Sequence, residues 1–300
     1  MEREDTRDTP NSPALFLPIF ASRPRLDVSS MPEEFLHFSI GFVVALMIAL
    51  AAWKRGSLGV SGLWATLAIG TIIFSLGGLL ASIALVVFFL SSTLLSHMPS
   101  RGGQHPEQPS RNWLQVFANG GVPAFACMLF TVRPELREQA TLLFFGALAT
   151  STADTWATEV GTRFGGIPRD VLTGKPRAIG ASGGVSILGL LASAAGAMLI
   201  GVLSSLRLPE SSTCQLQGLP SFPAIAIAGI VGALFDSAFG SLIQAKYRCP
   251  VCGAEIEEPR HCNARAIRKS GLAGIGNNAV NLISAFLGGV LAIEILDLLL

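Results

Sequence analysis

Apolar stretches recur along the chain from residue 34 to residue 296, interrupted by short polar or glycine-rich segments. A helix of about 20 apolar residues crosses a hydrocarbon core. The pattern therefore predicts eight spans, at 34–53, 60–76, 79–97, 113–132, 139–157, 183–206, 222–245 and 275–296. Only Gly77-Gly78 marks the turn between the second and third. Residues 1–30 mix acids, arginines and prolines without periodicity, which predicts a disordered tail. Its acids argue against a transit peptide, and it lacks a signal peptide's basic end running into an apolar stretch. The expected fold class is all-α, a polytopic transmembrane helical bundle over 31–300.

A weak internal repeat runs through this pattern. Gly56-Ser57-Leu58-Gly59-Val60-Ser61 leads into the second span much as Ser182-Gly183-Gly184-Val185-Ser186 leads into the sixth. The segments 115–120 and 276–281 likewise fall at the starts of the fourth and eighth. Four spans separate each pair, the arrangement of two parallel four-helix halves, although glycine-rich membrane helices also resemble one another by chance.

Composition agrees with a bilayer as solvent. Half of the 300 residues are hydrophobic and 14% are charged, and the mean hydropathy is +0.55. One soluble core cannot hide that apolar surplus. The net charge of +1 provides no global basic patch, which argues against nucleic acid as a partner. Glycine, at 32 residues, suits closely approaching membrane helices.

Charge along the loops orients the chain. The loops after spans one, three, five and seven carry Lys54 and Arg55; Arg101 and Arg111; Arg163, Arg169, Lys175 and Arg177; and Lys246, Arg248, Arg260, Arg265, Arg268 and Lys269. The opposite loops carry only Arg133, Arg137 and Arg207. Basic loops stay in the cytoplasm, so the count predicts both termini outside. The four arginines of the tail run against this rule, which long tails follow poorly. Arginine outnumbers lysine 17 to 4, a bias that points toward a GC-rich genome and a prokaryotic inner membrane rather than an organelle.

The chemistry-bearing residues gather in a few places. Ser151, Asp154, Thr155, Thr158 and Glu159 repeat at helical spacing along the end of the fifth span. Such a stripe must face protein, water or a ligand, and acids at membrane depth mark functional sites. Asp236, Gly240 and Gln244 follow at i+4 steps on the seventh span beside Ser237 and Ser241. Asn277, Asn281 and Ser284 share a face of the eighth beside Asn278, as Asn112, Gln115 and Asn119 do on the fourth. Single hydroxyls and amides of this kind also serve as interhelical glue; three carboxylates exceed what glue requires. Oxygen ligands without a nearby histidine favour a hard cation such as Mg²⁺.

The loop with Arg163, Arg169, Lys175 and Arg177 runs into Ser182, Gly183, Gly184 and Ser186. A Gly/Ser-rich turn before a helix offers backbone N–H groups to an anion, and carboxylates, basic side chains and such a turn are the parts of phosphoryl transfer. The same loop also reads as an ordinary basic loop capped by glycine. In the hydrophilic insertion at 246–270, Cys249-Pro250-Val251-Cys252 is followed by His261-Cys262. This pattern fits a Cys₃His zinc site, plain thiols or a redox pair. Cys127, Cys214, His37, His97 and His105 have no partner motif.

Together the runs at 111–120, 183–186, 235–240 and 277–281 and Ala153-Asp154-Thr155-Trp156-Ala157-Thr158-Glu159-Val160-Gly161 resemble, in order, the motifs of the DUF92 family. Its integral-membrane members are largely of unknown function and include the plant and cyanobacterial phytyl-phosphate kinases of tocopherol synthesis. The resemblance covers about 38–296, and the Cys/His insertion is similar to one in many microbial relatives. Many members carry an Asn-Asp pair where this chain has Asn277-Asn278, which bears on any metal-ligand role for position 278.

The resemblance implies a prenyl-monophosphate kinase, moving a phosphoryl group from CTP or another nucleoside triphosphate to an isoprenyl phosphate. Asp154, Glu159 and Asp236 are expected to hold Mg²⁺, with Arg163, Arg169, Lys175 and Arg177 neutralising phosphate. Ser182, Gly183, Gly184 and Ser186 are expected to cradle an anion. Asn119, Thr155, Ser237, Gln244, Asn277, Asn278 and Asn281 complete the expected binding set. The competing expectation is a transporter or permease whose intramembrane carboxylates bind an ion or substrate.

Overall fold

A computed structural model describes residues 33–99, 110–206, 216 and 221–300; the tail at 1–30, Arg101, His105, Arg207 and Cys214 lie outside them. Eight α-helices follow one another, α1 (Glu33–Lys54), α2 (Val60–Leu76), α3 (Gly78–Ser96), α4 (Trp113–Val132), α5 (Arg137–Phe164), α6 (Ile187–Ser204), α7 (Ser221–Leu242) and α8 (Asn277–Leu299). All but α2 and α5 are long and apolar enough to cross a membrane; α2 is a shorter apolar helix.

The fifth helix is the axis of the bundle. It packs on α3, α4, α6, α7 and α8. Residues 140–153 are buried on every side, with the hydroxyls of Thr141, Thr150 and Thr152 turned back onto carbonyls of their own helix. Lipid and side chains are equally apolar, so close backbone approach holds such helices together. Gly229 of α7 is one such contact, where a Cβ would stand 2.8 Å from Ala149 and 2.9 Å from Ala197.

Helix ends depart from the hydropathy pattern wherever polar contacts decide them. The fifth span continues past 157 to Phe164 because Glu159 and Arg163 pair at i, i+4 and Thr162 donates back to the Thr158 carbonyl at 2.7 Å. The sixth begins at Ile187 rather than 183. Gly183 has φ +83° and lies buried against Ser241, a conformation closed to a helix, so the chain first runs extended. There β2 (Gly184–Val185) pairs antiparallel with β1 (Arg169–Asp170), and Ser186 caps α6 by accepting from the Gly189 N–H at 3.2 Å.

The insertion is a small β module. A three-stranded sheet is ordered β4 (Glu255–Ile256), β3 (Lys246–Arg248), β7 (Ile267–Ser270), and a hairpin joins β5 (Arg260–His261) to β6 (Ala264–Arg265). All four basic loops meet at one end of the bundle. Gly59 N–H donates to the Arg111 carbonyl at 3.0 Å, Arg163 reaches Met98, and Arg177 reaches Ser241. Trp53, Trp64 and Trp113 are exposed near this end, as aromatic residues at a membrane interface are.

Candidate functional site

Beneath those loops, Asp154 of α5 and Asp236 of α7 lie within electrostatic reach of each other. Asp236 is buried, and the Asn281 amide, turned nitrogen-first, donates to its Oδ2 at 3.1 Å and to the Asn277 carbonyl at 2.9 Å. The buried Ser284 hydroxyl stands beside it. Asp154 is half-buried, and no described side chain donates to it. Two like charges enclosed together are unfavourable unless a proton or a cation lies between them. The donors around them are oxygens and amides, with no sulfur or imidazole among the named neighbours, and this set fits a hard divalent cation such as Mg²⁺.

Just past the end of α7, about two turns on from Asp236, Gln244 is almost fully enclosed at 1% exposure, and neither amide atom has a hydrogen-bond partner. A Cβ on Gly240 would stand 3.5 Å from its Oε1 and 3.2 Å from the Gly183 nitrogen. Such a buried amide is a place where a water or a ligand can bond. Ser237 is half-buried on α7, and Asn278 lies in the first turn of α8.

Glu159 does not join this pair. Its carboxylate accepts from Ser96 Oγ at 2.7 Å and pairs with Arg163, both residues buried. Arg163 also donates to the carbonyls of Met98 at 2.9 Å and Ser96 at 2.8 Å. Five residues along a helix turn a side chain by roughly 140°, so Asp154 and Glu159 bound opposite edges of the polar stripe. The expected trio of carboxylates separates into a pair and a structural ion pair, and Arg163 is a clamp rather than a free cation.

The basic loop divides in the same way. Arg169 is exposed and donates to the Gly174 carbonyl at 3.0 Å, and Lys175 is exposed. Arg177 instead pairs with buried Asp170 at 2.5 Å and donates to Ser241 Oγ at 3.1 Å and to the Ser182 carbonyl at 3.1 Å. Ser241 Oγ donates to Asp170 Oδ2 at 2.6 Å, while Thr173 contributes its N–H at 2.8 Å and its hydroxyl at 3.0 Å. These hydrogen bonds, the one from Ser241 first, hold the Asp170 carboxyl well below the usual range. Lys246 donates to the Ser182 carbonyl at 3.4 Å, and burial lowers its pKa.

Within the glycine turn, Ser186 is occupied in capping α6, and the Gly184 N–H bonds the Ala181 carbonyl at 3.1 Å. Ser182 carries the free donors. Its N–H at 3.3 Å and its hydroxyl both go to Glu257, a carboxylate from the insertion. The turn thus does hold an anion, one supplied by the chain itself.

An apolar cavity of about 230 Å³ between α1, α2, α3 and α4 reaches its polar end at Arg111, Gln115 and Asn119. Ser151 Oγ donates to the Asn119 carbonyl at 3.3 Å, which joins this end to the α5 stripe one turn before Asp154. Thr155 on that stripe donates back to the Ser151 carbonyl at 2.7 Å. Arg111 donates to Ser96 Oγ at 3.3 Å, and burial lowers its pKa against the attraction of Glu159.

Sequence reasoning missed Arg111, Asp170 and Glu257 as site residues. Arg111 opens the 111–120 motif, and Asp170-Val171-Leu172-Thr173 has the spacing of an Asx turn. Glu257 carries no local signal.

The features above define a polytopic α-helical membrane protein with a carboxylate pair enclosed between helices at one membrane face. The chain belongs to the family described as integral membrane protein DUF92, whose model matches residues 43–289. It is 30% identical to Protein PGR of Arabidopsis thaliana over 282 residues, 87% of this chain and 96% of that one. It is 25% identical to the uncharacterized membrane protein MJ0933 of Methanocaldococcus jannaschii over 276 residues, 90% of this chain and 98% of the other. No solved structure matches.

Proposed function

We infer that this protein is a prenyl-monophosphate kinase-like phosphotransferase. The observation that carries the reading is the Asp154–Asp236 pair, one turn along α5 from Ser151, whose hydroxyl meets the Asn119 carbonyl at the polar end of an apolar cavity. An isoprenyl tail fits the chemistry of the cavity wall, and its phosphate would meet Arg111. Lys246 and Arg177 meet at the Ser182 carbonyl, beside the Ser182 donors, and this cluster suits nucleoside triphosphate phosphates.

Each residue then has a limited task. Asp154 and Asp236 would hold Mg²⁺, with the Asn281 amide orienting Asp236. Bound there, the cation would neutralise charge on the transferring phosphoryl group. The acceptor is already an anion, so no side chain need act as general base. Gln244 would give its unpaired amide to the nucleotide. In a prokaryotic inner membrane the basic loops would set this site on the cytoplasmic side, where CTP is available.

The test is transfer from labelled CTP to phytyl or geranylgeranyl monophosphate by the purified protein in detergent with Mg²⁺. Lipid diphosphate should form, and Asp154→Asn should reduce its rate on the order of 10²–10³-fold while the protein remains folded. Absence of product with every nucleotide tested, together with ion-dependent solute flux in vesicles, would assign the carboxylates to transport instead.

A further inference from the structure

The Cys/His residues of the insertion at 246–270 play no part in the chemistry above, yet they form the one group of three or more closely spaced metal-ligating side chains among the described residues. Cys249 Sγ, Cys252 Sγ, Cys262 Sγ and a His261 ring nitrogen all lie within 4.8 Å of one another. We propose that Cys249, Cys252, His261 and Cys262 bind one Zn²⁺ ion, which fixes the insertion and with it the reach of Glu257 to Ser182.

The distances fit a tetrahedral site. With Zn–S near 2.3 Å and Zn–N near 2.0 Å, a sulfur and a nitrogen on one ion stand roughly 3.5 Å apart. Cys252 Sγ is 3.4 Å and Cys262 Sγ 3.2 Å from His261 Nδ1. Nδ1, the nitrogen nearer the backbone, is therefore the ligand, and this is how adjacent His261 and Cys262 both reach one ion. Cys249, Cys252 and Cys262 are free thiols, and His261 lies among all three, where a redox pair would need only two sulfurs in contact.

The backbone is shaped around the same four residues. The first pair sits on a tight turn closed by the Gly253 N–H donating to the Cys249 carbonyl at 3.0 Å, with Gly253 at φ +75°. The second pair sits on the β5–β6 hairpin, whose turn residues Cys262 and Asn263 adopt φ +49° and +56°. Asparagine tolerates this region, whereas cysteine adopts it at a cost that some further contact must offset.

The module also needs a staple. Of all its side chains only Cys249 and Ala266 are buried, and the remaining strands have no core of their own. A unit this small with no core depends on a disulfide or a metal. Glu257 directly follows β4 and bridges to Ser182, so ordering the module orders that contact.

The test is metal content of the full-length chain purified in detergent, and it does not depend on the kinase reading. About one zinc per chain should survive desalting, and release should follow when a mercurial titrates the thiols. Cys252→Ser and Cys262→Ser should retain less than a tenth of it, and Cys127→Ser all of it. Because the variants risk misfolding, Co²⁺ exchanged into the wild type is a second readout and should give the intense visible bands of tetrahedral thiolate coordination. Wild-type protein with no zinc and no such cobalt spectrum, or equal loss in the Cys127 control, would overturn the proposal.

Discussion

Glu257 accepts hydrogen bonds from the backbone N–H and the hydroxyl of Ser182, 75 residues away, at the turn before α6. A carboxylate thereby occupies the donors that the sequence assigns to phosphate. Under the kinase reading a substrate phosphate displaces it. Glu257→Gln should then lower KM for the phosphate substrate held there by about three- to tenfold, the effect of removing one like charge at short range, with kcat unchanged. Loss of turnover instead would make Glu257 part of the catalytic machinery.

The Glu159–Arg163 pair predicts a stability effect of the opposite kind from catalysis. Both side chains are buried, and together they tie α5 to the end of α3. Glu159→Gln or Arg163→Met alone leaves one buried charge unpaired and should destabilise by about 3 kcal/mol. The double variant should recover much of that loss in detergent unfolding, and the substitutions should act on stability more than on kcat.

Asp170 predicts the pH dependence of the loop. Its folded pKa lies below its unfolded value, so its contribution is complete above about pH 4 and is lost as pH falls through the folded pKa. Thermal unfolding of the wild type should weaken below that pH. Asp170→Asn should remove that share of the dependence and cost roughly 2 kcal/mol at neutral pH through lost charge-assisted hydrogen bonds.

The cavity predicts substrate selectivity. Arg111→Gln should raise KM for the lipid phosphate at least several-fold, with a smaller effect on KM for the nucleotide, since Arg111 ends the apolar cavity. Val86→Trp, on the cavity wall, should shift preference toward shorter prenyl chains. Competition assays with substrates of graded length measure both.

The sequence by itself determined the eight helices, six of them long and apolar enough to cross a membrane. Val60–Leu76 and Trp113–Val132 coincide with the hydropathy pattern at both ends, because membrane helices satisfy their backbone internally and only length and polarity are needed to recognise them. Asp154, Asp236 and Asn281 were legible for a similar reason, since polar residues at helical spacing in an apolar segment declare an inward face.

Tertiary structure alone decided which of those polar groups meet. The α5 stripe offered Asp154 and Glu159 together, yet packing against α7 gives one to Asp236 and packing against α3 gives the other to Ser96. The glycine turn offered four residues to an anion, and the fold engaged Ser186 in a cap and Gly184 in a turn, leaving Ser182 to Glu257. Periodicity is a property of a few consecutive residues, whereas the partner of a buried charge is chosen by whichever distant segment the bundle brings to it.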